Sequence, residues 1–269
     1  MPTIYSISDI HGFYYEMMDT LNLVDLISNK DNRLILLGDY IDQGKHSYKV
    51  LKHIKSLEEE YPGQVIVLLG NHEEMFIDWY TQSDDLLWLS QDIGLVTVKS
   101  FFTEEQFEDF STKLNNLKHS YSEMNEFLRQ ELIRNHQELL NWLLNKKNES
   151  RFFETNCQIY VHAGICEEDE ELWKHSTDPY DFTWKYPAQT GSFYKDIIAG
   201  HVSSATVAND ESYLGKVFWD KQSHFYIDGE TVRSKIIPLL KFNTDSKEYS
   251  SYEKQNDGLW TEYKIKSDD

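Results

Sequence analysis

Cysteine and basic residues are both scarce in this chain. Only two of its 269 residues are cysteines, Cys157 and Cys166, which is too few for a disulfide framework. We therefore expect reduced thiols and a cytoplasmic protein. Lysine and arginine total 26 against 46 aspartates and glutamates, a formal net charge of -20. A surface of that sign repels nucleic-acid backbones and anionic membranes, so we expect neither as a partner.

Long apolar segments are absent as well. The strongest run, VIVLL at 65–69, is far shorter than the roughly 20 residues that a membrane-spanning helix needs. The opening MPTIYSISDIHG lacks the basic start and the apolar core of a secretory signal, so we expect no leader. With 40% hydrophobic and 14% aromatic residues, the composition is that of a globular protein with a sizeable core.

Five short segments share one design, an apolar run that ends at glycine beside a possible metal ligand. They are IYSISDIHG (4–12), LILLGDY (34–40), VIVLLGNHE (65–73), IYVHAGI (159–165) and IIAGH (197–201). Near-continuous apolar runs predict strands buried on both faces of a sheet. Helical periodicity at 13–28 and 46–63 lies between the first three and predicts parallel β-α-β units, hence an α/β fold. Functional groups then gather at one sheet edge, beyond the carboxyl ends of the strands.

Residues 76–150 depart from this pattern and predict a helical insertion after the third strand. Thr103 and Gln106 form a capping box, and apolar residues follow at helical spacing there and again at about 122–145. Aromatic residues at such spacing indicate core more often than an interaction surface; those in question are Trp79, Trp88, Phe101 and Phe102. We expect the insertion to form a wall of the site and to influence substrate choice.

The last part of the chain predicts further strands. They are KVFWD, HFYIDGETV, KIIPLLKFN and LWTEYKI, all from residue 216 onward. We expect a single domain over 1–245, followed by a polar segment, 246–269, that can add an edge strand.

Polar residues at the five strand ends are typical of a metal site. They are Asp9, His11, Asp39, Asp42, Asn71, His72, His162 and His201. Crowded carboxylates repel one another, and a divalent cation removes that penalty. A mixed Asp, His and Asn set suits manganese, iron or zinc better than calcium or magnesium. The other histidines, among them His119 and His224, are expected on the surface or on helix faces.

The number of ligands predicts two ions, with manganese the first choice. Asp9 and His11 lie two apart on an extended strand end, so both can face one ion. Three further ligands arrive from separate strands for a second ion: Asn71, His162 and His201. Asp39, on a strand between, is the natural bridge that holds two ions about 3.5–4 Å apart for phosphoryl chemistry. His72 is then the candidate general acid, and Asp42 can orient its imidazole.

The five blocks SDIHG, GDYIDQG, GNHE, VHAG and AGH, in that order, resemble the signature of the phosphoprotein phosphatase family of dinuclear metallophosphoesterases. The chain is most similar to the bacterial and phage members, the lambda-phosphatase-like protein phosphatases and the symmetrical diadenosine tetraphosphate hydrolases. The resemblance spans about residues 4–229 and implies a calcineurin-like β-sandwich flanked by helices. It also implies the same metal ligands, proton donor and partner that the spacing suggests.

Departures from the family pattern fall on the residues that would bind substrate. An arginine that holds the phosphate in the family is replaced by Gln43, and a second is expected near FTWKYP, where Lys185 stands. Gln43 and Lys185 are therefore the candidate substrate-binding residues, with Lys45 and Arg151 as alternative cations. Arginine offers a charged fork to phosphate oxygens, whereas glutamine offers a neutral amide.

These features predict metal-dependent hydrolysis of phosphate monoesters, with phosphoserine or phosphothreonine proteins as the first-choice substrate. Dinucleoside polyphosphates and phosphodiesters are the alternatives within catalysis. A weakly active phosphate-binding regulatory relative is a further alternative that Gln43 keeps open. The partner is then a phosphoprotein or a small phosphorylated molecule.

Overall fold

The first part of the chain alternates strands and helices. A computed structural model describes residues 2–81, 87–92, 95–116 and 121–266. Its first elements are β1 (Thr3–Ile7), α1 (Tyr14–Leu21), β2 (Arg33–Leu36), α2 (Ser47–Glu60), β3 (Val65–Val67) and α3 (Asn71–Thr81). β2 pairs in parallel with β1 on one side and with β3 on the other, so the two predicted β-α-β units are confirmed.

Helices follow the third strand, as predicted. They are α4 (Leu87–Gln91), α5 (Val96–Ser100), α6 (Glu104–Asn116) and α7 (Tyr121–Lys147). The capping box of α6 is confirmed, because Thr103 N donates to Gln106 Oε1 at 2.9 Å and Gln106 N donates to Thr103 Oγ1 at 3.2 Å. Trp79 and Trp88 are fully buried, which confirms them as core. Parts of the predicted insertion lie outside the described residues: 82–86, 93–94 and 117–120.

The second half of the chain forms a second sheet and then returns to the first. Its elements are β4 (Phe152–Glu154), β5 (Gln158–Val161), α8 (Trp173–Ser176), α9 (Asp181–Trp184), β6 (Asp196–Ala199), α10 (Ser204–Ala208), β7 (Phe218–Trp219), β8 (His224–Tyr226), α11 (Thr231–Ser234), β9 (Leu240–Asn243), β10 (Tyr249–Lys254) and β11 (Trp260–Lys266). The first sheet has the order β11-β10-β9-β1-β2-β3, and the second has the order β4-β5-β6-β8-β7. Sequence patterns did not predict β10, because YSSYEK is polar and becomes a strand through its pairing with β9 and β11.

Two sheets pack face to face and carry helices on their outer faces. Ile35 and Leu37 of the first sheet share a core with Tyr160 and Ile198 of the second. Neighbouring residues on β2 point the other way, into a core shared with the helices. Alternate side chains of one strand therefore fill two different layers, as the two-residue period of a strand requires. The predicted helix-flanked sandwich is confirmed, and none of the helices in the described ranges has the length and apolar character that a membrane crossing requires.

The sequence prediction for the two cysteines is confirmed, whereas the prediction for one histidine is wrong. Cys157 and Cys166 are both free, as expected. The expectation that His224 lies on the surface or on a helix face is wrong, because its side chain is 1% exposed within β8. Its Nε2 lies 3.1 Å from both carboxylate oxygens of Glu167, and its Nδ1 lies 3.1 Å from Asp220. Glu167, 57 residues earlier in the chain, and Asp220, four residues earlier, therefore hold this ring inside; His119 is outside the described residues.

Stability should depend on pH through His224. Burial alone would lower its pKa, but the hydrogen bond and charge of Glu167, with Asp220, outweigh burial and raise the pKa. The stabilisation is then fully present below the unfolded value of about 6.5 and is lost as the pH rises through the folded pKa. In melting curves, the Tm difference between wild type and His224→Gln should be largest below about pH 6.5 and shrink as the pH rises above that value. His175→Gln, at an exposed position, is the control; a difference that stays constant with pH would contradict the assignment.

Candidate metal centre

The predicted site residues follow five strands that belong to two sheets. β1, β2 and β3 are in the first sheet, whereas β5 and β6 are in the second. The expectation of one sheet edge is wrong, because β4 pairs antiparallel with β5 and starts a new sheet after the helical segment. Both sheets nevertheless direct the carboxyl ends of these strands to the same place, where all six predicted ligands meet: Asp9, His11, Asp39, Asn71, His162 and His201.

The first group of predicted ligands is assembled from the loops after β1 and β2. His11 Nε2 lies 4.0 Å from Asp9 Oδ1 and 3.8 Å from Asp39 Oδ2. All three residues are buried. His11 Nδ1 lies 2.9 Å from the carbonyl oxygen of Ile41, which can only accept, so Nδ1 carries the proton. The lone pair of Nε2 therefore faces the carboxylates, as a metal ligand requires.

The second group faces the other oxygen of Asp39. His162 Nε2 lies 3.5 Å from Asp39 Oδ1 and 3.1 Å from Asn71 Oδ1. His201 Nδ1 is also 3.1 Å from Asn71 Oδ1. The Nδ1 of His162 donates to Leu37 O at 3.0 Å, so the lone pair of its Nε2 faces Asp39 and the side-chain amide of Asn71. A ring lone pair that faces a carboxylate oxygen matches the ligand atoms of a shared cation, and the two oxygens of Asp39 can serve both groups.

Buried negative charge supports the same conclusion about cations. Asp9, Asp39, Glu73 and Asp228 are all buried in or beside the cluster. Burial raises the pKa of Asp9, and the charge of Asp39 adds to this effect. Burial likewise raises the pKa of Asp228 well above its usual value, with Asp9 as a further cause. Divalent ions would offset this repulsion, so the donor set fits two transition-metal ions.

Several residues of the site have a left-handed backbone, which side chains other than glycine rarely adopt. The φ angles are 54° for Asp9, 48° for His11, 57° for Asp39, 72° for Asp42 and 63° for His201. Each such residue costs about 1–2 kcal/mol in an L-amino acid and persists only where neighbouring contacts hold it. Clustered strain of this kind is typical of functional sites, because the backbone is bent to aim side chains at one point.

Glu73 makes some of the contacts that hold this backbone in place, although the sequence analysis gave it no role. It is fully buried on α3. Its Oε2 accepts from Asp39 N at 2.8 Å and Gly70 N at 3.1 Å, and its Oε1 accepts from Tyr40 N at 2.7 Å and Ile41 N at 3.2 Å. Glu73 therefore ties the loop that carries Asp39 to the helix that begins with Asn71. The acidic residue directly after Asn71 and His72 was the available signal.

His72 and Asp42 form a hydrogen-bonded pair beside the cluster. His72 Nδ1 lies 2.6 Å from Asp42 Oδ2, and His72 Nε2 lies 3.9 Å from Asp39 Oδ2. Burial lowers the pKa of His72, but the charges of Asp39 and Asp42 outweigh burial and raise the pKa to about 10. With Nδ1 on Asp42, the Nε2 side of the ring faces the cluster, which is the orientation that a general acid needs.

Candidate substrate-binding residues do not direct positive charge at the cluster. Gln43 is exposed on the same loop as Asp42. The ammonium group of Lys185 donates to the carbonyl oxygen of Ile165 and, at 2.6 Å, to Gln189 Oε1. Arg151 pairs with Glu74 on α3. Two of the cations considered from the sequence are thus committed to other partners, and Lys45, next but one to Gln43, is exposed.

Solved structures with a similar fold include a phosphatase. The cold-active protein-tyrosine phosphatase of a psychrophilic Shewanella species superposes with a TM-score of 0.55 at 16% identity, over 97% of this chain and 80% of that one. At this identity the likeness shows the fold alone.

Curated relatives match a short segment of the chain. A probable serine/threonine-protein phosphatase of Encephalitozoon cuniculi is 40% identical over 65 residues, which is 24% of this chain and 14% of the relative. A symmetrical bis(5'-nucleosyl)-tetraphosphatase of Coxiella burnetii is 38% identical over 69 residues, which is 26% of this chain and 22% of the relative. Each match therefore spans less than a quarter of the relative's length.

The family model for calcineurin-like phosphoesterases matches residues 2–224, which include all five strand ends of the site. The two mixed sheets with flanking helices agree with that match. This chain is a member of the calcineurin-like phosphoesterase family.

Proposed function

We propose that this chain hydrolyses phosphate monoesters with two divalent transition-metal ions, manganese first, and acts as a cytoplasmic serine/threonine-type protein phosphatase. The observation that carries this proposal is the convergence of six donor side chains beside the hydrogen-bonded pair of His72 and Asp42. The ligand roles fall to Asp9, His11, Asp39, Asn71, His162 and His201. Family membership and the serine/threonine phosphatase relatives support the reaction and the first-choice substrate.

Residues of the chain itself can carry the proton chemistry of this reaction. Two ions, when bound, supply a nucleophilic water and neutralise charge on the phosphoryl group. His72 keeps its Nδ1 hydrogen on Asp42, so its Nε2 proton faces the cluster. That proton is available to the oxygen that leaves when the ester bond breaks. Asp42 holds the ring in this orientation and stabilises its charged form.

A second candidate substrate, a nucleoside polyphosphate, is favoured by aromatic rings beside the cluster. The ring of Trp184 lies 6.5 Å from that of His201 and stacks on Tyr180 at 5.5 Å with an interplanar angle of 3°. The Tyr180 side chain is 59% exposed, so its outer face is open to a planar group. Stacking would supply binding energy in place of the charge-assisted hydrogen bond that the neutral Gln43 does not make. The tetraphosphatase relative agrees with this alternative.

A substrate panel tests the proposal. Manganese-loaded protein is incubated with a phosphoserine peptide, diadenosine tetraphosphate and a phosphodiester, and the released products are quantified. Hydrolysis of the peptide with the highest kcat/KM supports the protein phosphatase, whereas preference for the dinucleotide supports the second candidate. Metal-free protein is the control. If the loaded protein turns over none of the three, the proposed activity is wrong.

Restoring the family's arginine at Gln43 should increase monoesterase activity. A charge-assisted hydrogen bond contributes about 1.5–3 kcal/mol, so Gln43→Arg is expected to raise kcat/KM for an aryl phosphate by about 10- to 100-fold. Gln137→Arg adds the same charge at an exposed position on α7 and is the matched control. Equal activity of wild type and Gln43→Arg would show that the neutral residue does not limit phosphate binding.

A further inference from the structure

Asp42 is held by two side chains of the helical insertion as well as by His72. Thr97 Oγ1, on α5, donates to Asp42 Oδ1 at 2.7 Å. Trp88 Nε1, on α4, donates to Oδ1 at 3.2 Å and to Oδ2 at 3.0 Å. Three donors therefore surround the Asp42 carboxylate. Two of them, Trp88 and Thr97, lie 46 and 55 residues further along the chain than Asp42.

Thr97 is itself fixed in place. It is fully buried, and its Oγ1 also accepts from the backbone N of Asp42 at 3.1 Å. Asp92 accepts from Thr97 N at 3.0 Å and from Val98 N at 3.1 Å, so it satisfies free N–H groups at the start of α5. The hydroxyl thus bonds to both the backbone and the side chain of Asp42, from a helix end that is capped.

Trp88 is equally restricted. Its ring is fully buried, with ring centroids 4.8 Å from Phe76 and 4.8 Å from Trp79, both on α3. Packing on these rings restricts the indole, and its N–H donates to Asp42. Side chains that are locked by packing and that hydrogen-bond a functional group set its orientation, because a carboxylate with one partner can turn about its side-chain torsions.

We propose that Thr97 and Trp88 are positioning residues for the proton donor: they orient Asp42 so that His72 directs its proton at the leaving oxygen. The inference rests on the proposed phosphoester hydrolysis. It gives the insertion a part in proton transfer. A defect in proton donation has a specific signature, since a poor leaving group needs the proton and an activated one leaves without it.

Steady-state kinetics over a leaving-group series tests the inference. Wild type, Thr97→Val, Thr97→Ser and Trp88→Phe are compared on manganese-loaded protein, from a nitrophenyl phosphate to an alkyl phosphate. For Thr97→Val we expect kcat on the alkyl ester to fall by about 10- to 100-fold, the worth of a hydrogen bond to a charged group, with less than about a threefold change on the nitrophenyl ester. Thr97→Ser should restore most of the rate, Trp88→Phe should show the same selective loss, and bound metal should stay unchanged in all variants.

Thr20→Val is the matched control, because Thr20 is a buried threonine whose hydroxyl donates to Ile237 O at 2.8 Å and not to Asp42. A rate loss in Thr97→Val that is equal across the series, as expected for a general structural defect, overturns the inference. If Thr97→Val does not fold, Trp88→Phe decides the question. A rate loss in Trp88→Phe that is equal across the leaving-group series also overturns the inference. If wild type is inactive on every ester, both the proposed function and this inference are wrong. If wild type is active and the rates of Thr97→Val and Trp88→Phe equal those of wild type on every ester, only the inference is wrong.

Discussion

Replacing His72 by asparagine is expected to slow hydrolysis of an alkyl phosphate by about two to four decades while bound metal is retained. Asparagine keeps a polar group near Asp42 but carries no proton that it can give up to a leaving oxygen. His72 contacts Asp42 through Nδ1 at 2.6 Å, so the substitution removes the donor without removing any of the six predicted ligands. The measurement is kcat on alkyl and nitrophenyl esters, together with elemental analysis.

A competing role for His72 is decided by the same data. Its ring nitrogen can also be grouped with His11 and Asp39 as a potential metal-binding set. Loss of an ion in His72→Asn, with an equal rate loss on both esters, would mean that His72 is a ligand. Asp42→Asn is the companion variant. It should reproduce the selective loss on the alkyl ester, because a neutral partner stabilises the imidazolium less.

Replacing Asp39 by asparagine is expected to lower bound metal from two ions to at most one per chain and to reduce kcat/KM by about three decades or more. The two carboxylate oxygens face different ligand groups, Oδ2 toward His11 at 3.8 Å and Oδ1 toward His162 at 3.5 Å. An amide keeps the shape but loses the charge, and only its oxygen can bind a cation. Metal stabilisation of the transition state amounts to several kcal/mol, which sets the size of the loss.

Metal content and rate are both needed to test the bridge. Asp109→Asn, at an exposed position on α6, is the control for the loss of one carboxylate. Retention of two ions per chain with normal activity in Asp39→Asn would contradict the bridging assignment. Retention of two ions with a lower rate would mean that Asp39 only orients neighbouring groups. One of these is His72, whose backbone N–H donates to Asp39 Oδ1 at 3.1 Å.

Local patterns were sufficient to predict the elements that carry the site. The apolar runs that became β1, β2 and β3 end in glycine and a polar residue, and burial of every residue of β1 agrees with a strand covered on both faces. The capping box at Thr103 needs only residues three apart, so it was predictable in the same way. Each of these features depends on neighbours in sequence, where the periodicity and the chemistry of the side chains act directly.

Contacts between distant residues could not be predicted. Glu73 holds the Asp39 loop from 34 residues away, and Thr97 reaches Asp42 across 55 residues. His224 is buried because Glu167 meets it across 57 positions. Nothing in the local sequence of any of these residues indicates its partner, because the partner is chosen by how the sheets and helices pack.

By itself, the sequence determined which side chains stand at the strand ends, and with them the kind of chemistry the chain offers: carboxylate, imidazole and amide donors that suit transition metals. Only the tertiary structure decided that strands of two sheets bring these donors together, that Lys185 and Arg151 have other partners, and that the insertion holds Asp42. The physical reason is the separation in sequence between the residues that interact. A strand end is specified by a few consecutive residues, whereas a hydrogen bond between loops exists only after the cores between the sheets and beneath the helices have packed.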